Sequence, residues 1–201
     1  MNDTKTMIKN ALILFVITLI AGVLLGLVYQ ITKEPIAYQN QLAETKANQE
    51  VFTDAASFEE VELDEAAAVT ATSEYSKISI VSAKKALDAS GNTLGYVLQI
   101  SSVGYGDEIV FTMGITNDGV LNGISIISIN ETPGLGMNAE KVLVPQFVAK
   151  TILGNFEVTK TTATSDSQIE AISGATITSR AITNGVNAGI NYWSNVLKGG
   201  Q

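Results

Sequence analysis

The residues best suited to chemistry stand in one run, Ser173-Gly174-Ala175-Thr176-Ile177-Thr178-Ser179-Arg180, at the head of an amphipathic segment. Hydroxyl side chains and a glycine ahead of a helix supply caps, and the free amides of the first turn point at whatever lies in front. Such a start attracts phosphate through those amides and the positive end of the helix dipole. Arg180, the only arginine of the chain, falls on that first turn, so the run predicts an anion site. Capping alone accounts for the same residues, and spacing does not choose between the two readings.

Two other motifs carry the backbone freedom that ligand loops need. Glu131-Thr132-Pro133-Gly134-Leu135-Gly136 is a rigid turn in which Pro133 fixes φ and the glycines permit close backbone approach. A plain strand-to-helix connection would use the same residues. Gly104-Tyr105-Gly106 places an aromatic ring at a bend, where it either stacks on a flat ligand or joins the core. With no cysteine and no histidine, the chain of 201 residues excludes disulfides, Cys-ligated clusters, zinc sites of Cys or His, thiol nucleophiles and Ser-His-Asp triads. If the chain does chemistry, it borrows most of it. Twelve basic against 20 acidic residues, net −8, argues against nucleic acid, whose backbone needs Lys and Arg.

The elements that must position these motifs are legible in outline. Ile182, Val186 and Ile190 recur at i, i+4 and i+8, with Trp193 and Leu197 on the same face, so a closing helix over 178–197 packs on a sheet. Lys77–Ser82, Leu94–Ile100, Ile109–Ile115 and Val120–Ile129 read as sequential antiparallel strands, with turns at Ser90-Gly91-Asn92 and Asn117-Asp118-Gly119. A moderately helical run over 139–153 and a strand near 156–160 lie between the Gly/Pro loop and the last helix. Antiparallel strands with segregated helices make an α+β domain. The segment 53–74 is acidic and aperiodic, and reads as partly helical or irregular solvated surface.

Ala11 to Tyr29 carries no charge and has the length, roughly 20 residues, of a single membrane crossing. A signal peptide would have an apolar region of about 7–15 residues and a small-x-small cleavage site, and this run ends without one. Lys5 and Lys9 against Asp3 favour a cytoplasmic amino terminus under the positive-inside rule. Gly22 and Gly26 offer a close-packing face to partner helices. Beyond Lys33 and Glu34, Pro35 either interrupts the helix, which good helix formers then continue as a stalk to about Val51, or starts a second helix. The expected layout is a tail (1–10), a transmembrane helix (11–31), a stalk and acidic connection (32–75) and a folded domain (76–201).

Ser173-Gly174-Ala175-Thr176 resembles the flavinylation motif of the FMN-binding domain family, in which a transferase joins FMN through its phosphate to the motif threonine. The family's aspartate three positions before the serine is Glu170 here. Glu131 to Gly136, followed by Lys141 and Phe147, resembles the loop that lies against the flavin ring, and Gly104-Tyr105-Gly106 resembles a further family element. A single amino-terminal span followed by these motifs in this order resembles the G subunits of Rnf-type ion-translocating ferredoxin:NAD+ oxidoreductase complexes. The C subunit of the Na+-translocating NADH:quinone oxidoreductase is the first alternative and a non-redox anchored binding module the second.

That resemblance implies an α+β FMN-binding domain behind one transmembrane helix, with covalent FMN on Thr176. It also implies cofactor contacts from Ser173, Gly174, Ala175, Ile177, Thr178, Glu131, Thr132, Gly134, Leu135, Gly136 and Tyr105. The implied partners are polytopic and other Rnf subunits, the flavin transferase and, indirectly, ferredoxin and NAD. The implied location is the inner (plasma) membrane, single-pass, with the FMN domain on the extracytoplasmic side.

Overall fold

The computed structural model describes residues 2–198. It opens with helix α1 (Asn2–Val51), and the chain divides into two compact units, one up to Leu42 and one from Ala43 onwards. In the first unit an 18-residue window reaches a mean hydropathy of 3.0 with none of it buried in protein. Among the described residues this is the one helix long and apolar enough to cross a membrane. The hydroxyl of Thr18, the polar side chain of that run, donates to the carbonyls of Leu14 (3.1 Å) and Phe15 (2.9 Å), so it leaves nothing unpaired. Pro35 neither interrupts the helix nor starts a second one, contrary to the expectation above. It removes one backbone donor just past the apolar run, where water can take the freed carbonyl.

The second unit is built on a six-stranded antiparallel sheet in strictly sequential order, β1 to β6. Its long strands are β2 (Ile78–Leu87), β3 (Thr93–Val103), β4 (Glu108–Thr116) and β5 (Val120–Ser128). They match the four expected strands and extend the first of them by five residues. In the segment expected to be partly helical or irregular, helix α2 (Glu65–Thr72) supplies the helical part, and strand β1 (Ser57–Val61) is an element the sequence reading did not include. The strand was hidden because it is an edge: Glu59 and Glu60 are exposed while Phe58 is half-buried, and the two glutamates sit across from Lys85 and Lys84 of β2.

Helix α4 (Thr176–Tyr192) lies on one face of the sheet. Ile182, Val186 and Ile190 are buried there with Ile100, Phe111 and Met113 of β3 and β4. A π turn (Trp193–Leu197) carries Trp193 and Leu197 into the same core. Gly189 permits this approach, since a Cβ would stand 2.8 Å from Ile100 Cδ1 and collide with the Met113 sulphur. The end of α1, with Val51 and Phe52, packs with Val97 and Ala86 in a second cluster. Lys84 bonds Glu44 at 2.6 Å and Glu60 at 2.9 Å. Burial works against the Lys84 ammonium, but these two carboxylates more than offset it and hold its pKa above the ordinary lysine value.

Between β5 and α4 the chain is more broken than expected. The run 139–153 forms only α3 (Ala139–Val142), a 3-10 turn (Val144–Phe147) and β6 (Lys150–Thr151). Pro145 is the second residue of the 3-10 turn and cannot extend an α-helix through it. The expected strand near 156–160 is β7 (Glu157–Thr159), paired in parallel with β8 (Gln168–Glu170).

Candidate functional site

The end of β3, the loop after β5 and the start of α4 meet around a cleft of about 480 Å³. Its walls are Tyr105, Glu131, Thr132, Leu135, Gly136, Gly174, Ala175, Thr176, Ile177 and Thr178. Three segments far apart in the chain thus converge, and ten of the twelve residues that the resemblance implies as cofactor contacts line one space. Gly134 and Ser173 are exposed and do not line it. The size falls within the ~300–1,000 Å³ usual for small-molecule and cofactor sites.

Glu131 holds the three segments together. It is only 6% exposed. One carboxylate oxygen accepts the amides of Tyr105 at 2.8 Å and Gly106 at 3.0 Å, and the other accepts the Thr178 hydroxyl at 2.8 Å. Gly104 and Gly136 leave room for it, since a Cβ at Gly136 would stand 2.7 Å from its Cβ and a Cβ at Gly104 would overlap its carboxylate. The importance of Gly104 is not visible in the sequence, because the side chain it makes room for is 27 residues away. Within the loop, Leu135 and Met137 donate to the Thr132 carbonyl, and the Asn138 side chain donates to the carbonyl of Gly134. Nearby, the Glu108 amide and then the Asn130 side chain hold the Asp107 carboxyl below the ordinary carboxylate range.

The helix begins at Thr176, two residues before the expected start, and this changes what its hydroxyls do. Ala175 occupies the cap position and no side chain caps the helix. The Thr178 hydroxyl donates to the Glu131 carboxylate, and Ser179 donates to the Ala175 carbonyl while accepting the Ile172 amide. The expected capping by these hydroxyls is therefore corrected: the first-turn amides remain available to a ligand. Gly174 at φ +77° turns the chain into the helix, a conformation that side chains rarely adopt. Arg180, expected to contribute to an anion site, is exposed and is not part of the cleft wall.

Tyr105 is 70% exposed at the mouth of the cleft, which removes it from the core. Phe147, by contrast, is buried edge-on against Phe156, with ring centres 5.7 Å apart, and Lys141 is exposed. Glu170 accepts the Ala163 amide at 2.8 Å and lies outside the cleft lining. Tyr105, Leu135 and Ile177 give the cleft apolar walls, and the helix start lined by Thr176 has no side-chain cap, the kind of end whose amides attract phosphate.

Fold and cleft together define an α+β domain with a cofactor-sized cleft, preceded in the chain by a helix long and apolar enough to cross a membrane. Residues 104–191 match the family model of the FMN-binding domain, and residues 1–51 match that of the RnfG N-terminal region. The chain is 37% identical to the G subunit of the Na(+)-translocating ferredoxin:NAD(+) oxidoreductase complex of Acetobacterium woodii, over 98% of this chain and 96% of that one. It is 30% identical to the G subunit of the ion-translocating oxidoreductase complex of Methanosarcina acetivorans, over 96% and 98% of the two chains. The chain belongs to this family of G subunits of ion-translocating oxidoreductase complexes. In fold it is similar to the C subunit of the Na(+)-translocating NADH-quinone reductase of Parabacteroides distasonis, with a TM-score of 0.58, 17% identity and coverage of 83% and 96%.

Proposed function

We propose that this chain is the membrane-tethered electron carrier of a ferredoxin:NAD+ oxidoreductase complex, with FMN esterified through its phosphate to the Thr176 hydroxyl. The observation that carries this reading is the division of labour among hydroxyls at the start of α4. Thr178 and Ser179 are committed to Glu131 and to the backbone, whereas Thr176 lines the cleft with no hydrogen-bond partner among the described residues. A phosphate joined there lies against the amides of Ile177 and Thr178, and Gly174 and Ala175 form the turn beneath it.

FMN, when bound, supplies the redox chemistry, in a chain that has no cysteine or histidine to contribute. The protein's part is to hold and orient. Leu135, Gly136, Thr132 and Tyr105 wall the cleft together with Ile177 from the start of α4. Ferredoxin and NAD+ react with other subunits on the cytoplasmic side, and the polytopic subunits exchange electrons with this domain across the inner membrane. Lys5 and Lys9 set the amino terminus on the cytoplasmic side, which leaves the domain outside. A covalent tether is useful there, because FMN lost outside could not be replaced from the cytoplasmic pool. A dedicated flavin transferase makes the bond.

Co-expressed with that transferase, the full-length chain is expected to keep its flavin fluorescence through denaturing gel electrophoresis. Fluorescence that disappears on denaturation would overturn the ester. A chain that takes up no flavin at all would favour a non-redox binding module instead.

A further inference from the structure

Glu131 carries more than a structural role. Among the ten residues that line the cleft it is the one with a formal charge, and that charge is negative. Its three hydrogen-bond partners, two backbone amides and a threonine hydroxyl, are neutral donors. The cations nearest in sequence to the cleft walls, Lys141 and Arg180, are exposed and outside the lining. A carboxylate buried to 6% exposure and compensated only by dipoles keeps its field, because little water screens it.

We propose that Glu131 sets the reduction potential of the flavin, holding it low through this fixed negative charge. The inference rests on the reading that FMN occupies the cleft. When an electron passes to the flavin from a reduced centre of a neighbouring protein in the complex, that centre is oxidised and the cleft gains one negative charge. A carboxylate on the cleft wall opposes that gain until a proton from solvent follows. The same three hydrogen bonds that fix the loops thus orient the charge, and the glycines at 104 and 136 admit it to the wall. Glu131 is a positioning residue for the cleft and a source of potential within it.

The isosteric change Glu131→Gln separates these roles. A glutamine oxygen still accepts the two amides, and the threonine hydroxyl turns to accept from the glutamine amide. The architecture stays while the charge goes. Potentiometric titration of the flavinylated full-length chain, with dithionite and mediators, is expected to show Glu131→Gln favouring reduction by about tenfold, or ~59 mV for one electron. Glu131→Asp, which keeps the charge, is expected to stay near the wild-type potential. Thr178→Val removes one donor to the carboxylate and is expected to lower the potential; this variant decides the matter should Glu131→Gln not fold.

A Glu131→Gln potential equal to the wild type, an equal upward shift in Glu131→Asp, or no change in Thr178→Val would overturn the role of Glu131 while leaving FMN attachment intact. A wild-type chain that takes up no flavin would overturn both.

Discussion

Replacing Glu131 by alanine is expected to destabilise the folded unit more than any other change in the cleft wall. The substitution strips the acceptor from the Tyr105 and Gly106 amides and from the buried Thr178 hydroxyl at once. Each donor left without a partner costs about 1–3 kcal/mol, less where water can reach it. Tyr105 and Gly106 lie on an exposed loop and recover part of the loss, whereas Thr178 is 1% exposed and does not. The cavity between Gly104 and Gly136 adds to the cost, since neither glycine has a side chain to fill it. The sum is about 2–4 kcal/mol, which for a chain of this length lowers the melting temperature by roughly 10 °C. Thermal unfolding of the full-length chain in detergent measures it. The isosteric Glu131→Gln change, in contrast, is expected to melt within a few degrees of the wild type, so the pair of melts separates lost hydrogen bonds from lost charge.

The second large effect falls on function and leaves the fold alone. Thr176→Val keeps the β-branch and volume of the side chain and removes only its hydroxyl. That hydroxyl makes no hydrogen bond among the described residues, and the side chain is half-buried at the first turn of α4. The stability change is expected within about 0.5 kcal/mol, as for a substitution that touches no cap, core or buried network. Ferredoxin-driven reduction of NAD+ by the assembled complex is expected to fall to background, because Thr178 and Ser179 are already committed and cannot take the tether. Thr178→Val is expected to retain the flavin. Turnover in Thr176→Val comparable to the wild type would show that electrons bypass this position.

How far the sequence foretold this arrangement depends on the range of each interaction. The buried face of α4 follows from an i, i+4 repeat confined to one short stretch of chain, and Ile182, Val186 and Ile190 lie where that repeat puts them. The meander of β2 to β5 was legible for the same reason, since alternating strands and turns at Gly91 and Gly119 are local signals. Strand β1 was not, because an edge strand with two consecutive glutamates has no apolar alternation and exists only through its pairing with the strand that carries Lys84 and Lys85. The helical run after Ala139 failed at Pro145, where local propensity yields to a missing amide.

At the cleft, the motif residues were visible but their division of labour was not. Thr176, Thr178 and Ser179 look alike as a hydroxyl-rich helix start. What distinguishes them is Glu131, which stands 47 residues from Thr178 and 26 from Tyr105. Arg180 shows the opposite failure, since it lies on the right turn but outside the cleft wall. Composition set only a broad limit: without cysteine or histidine the chain lacks the usual ligands and nucleophiles, and most of its chemistry falls to a bound group.

The bond between FMN and Thr176 can be located directly by mass. Trypsin cleaves after Lys160 and Arg180, which releases a single peptide holding Ser173, Thr176, Thr178 and Ser179. In the chain co-expressed with the flavin transferase, fragmentation mass spectrometry of this peptide is expected to place an added mass of one FMN less one water on Thr176. An increment on Ser173 or Thr178, or an unmodified peptide, would contradict the assignment.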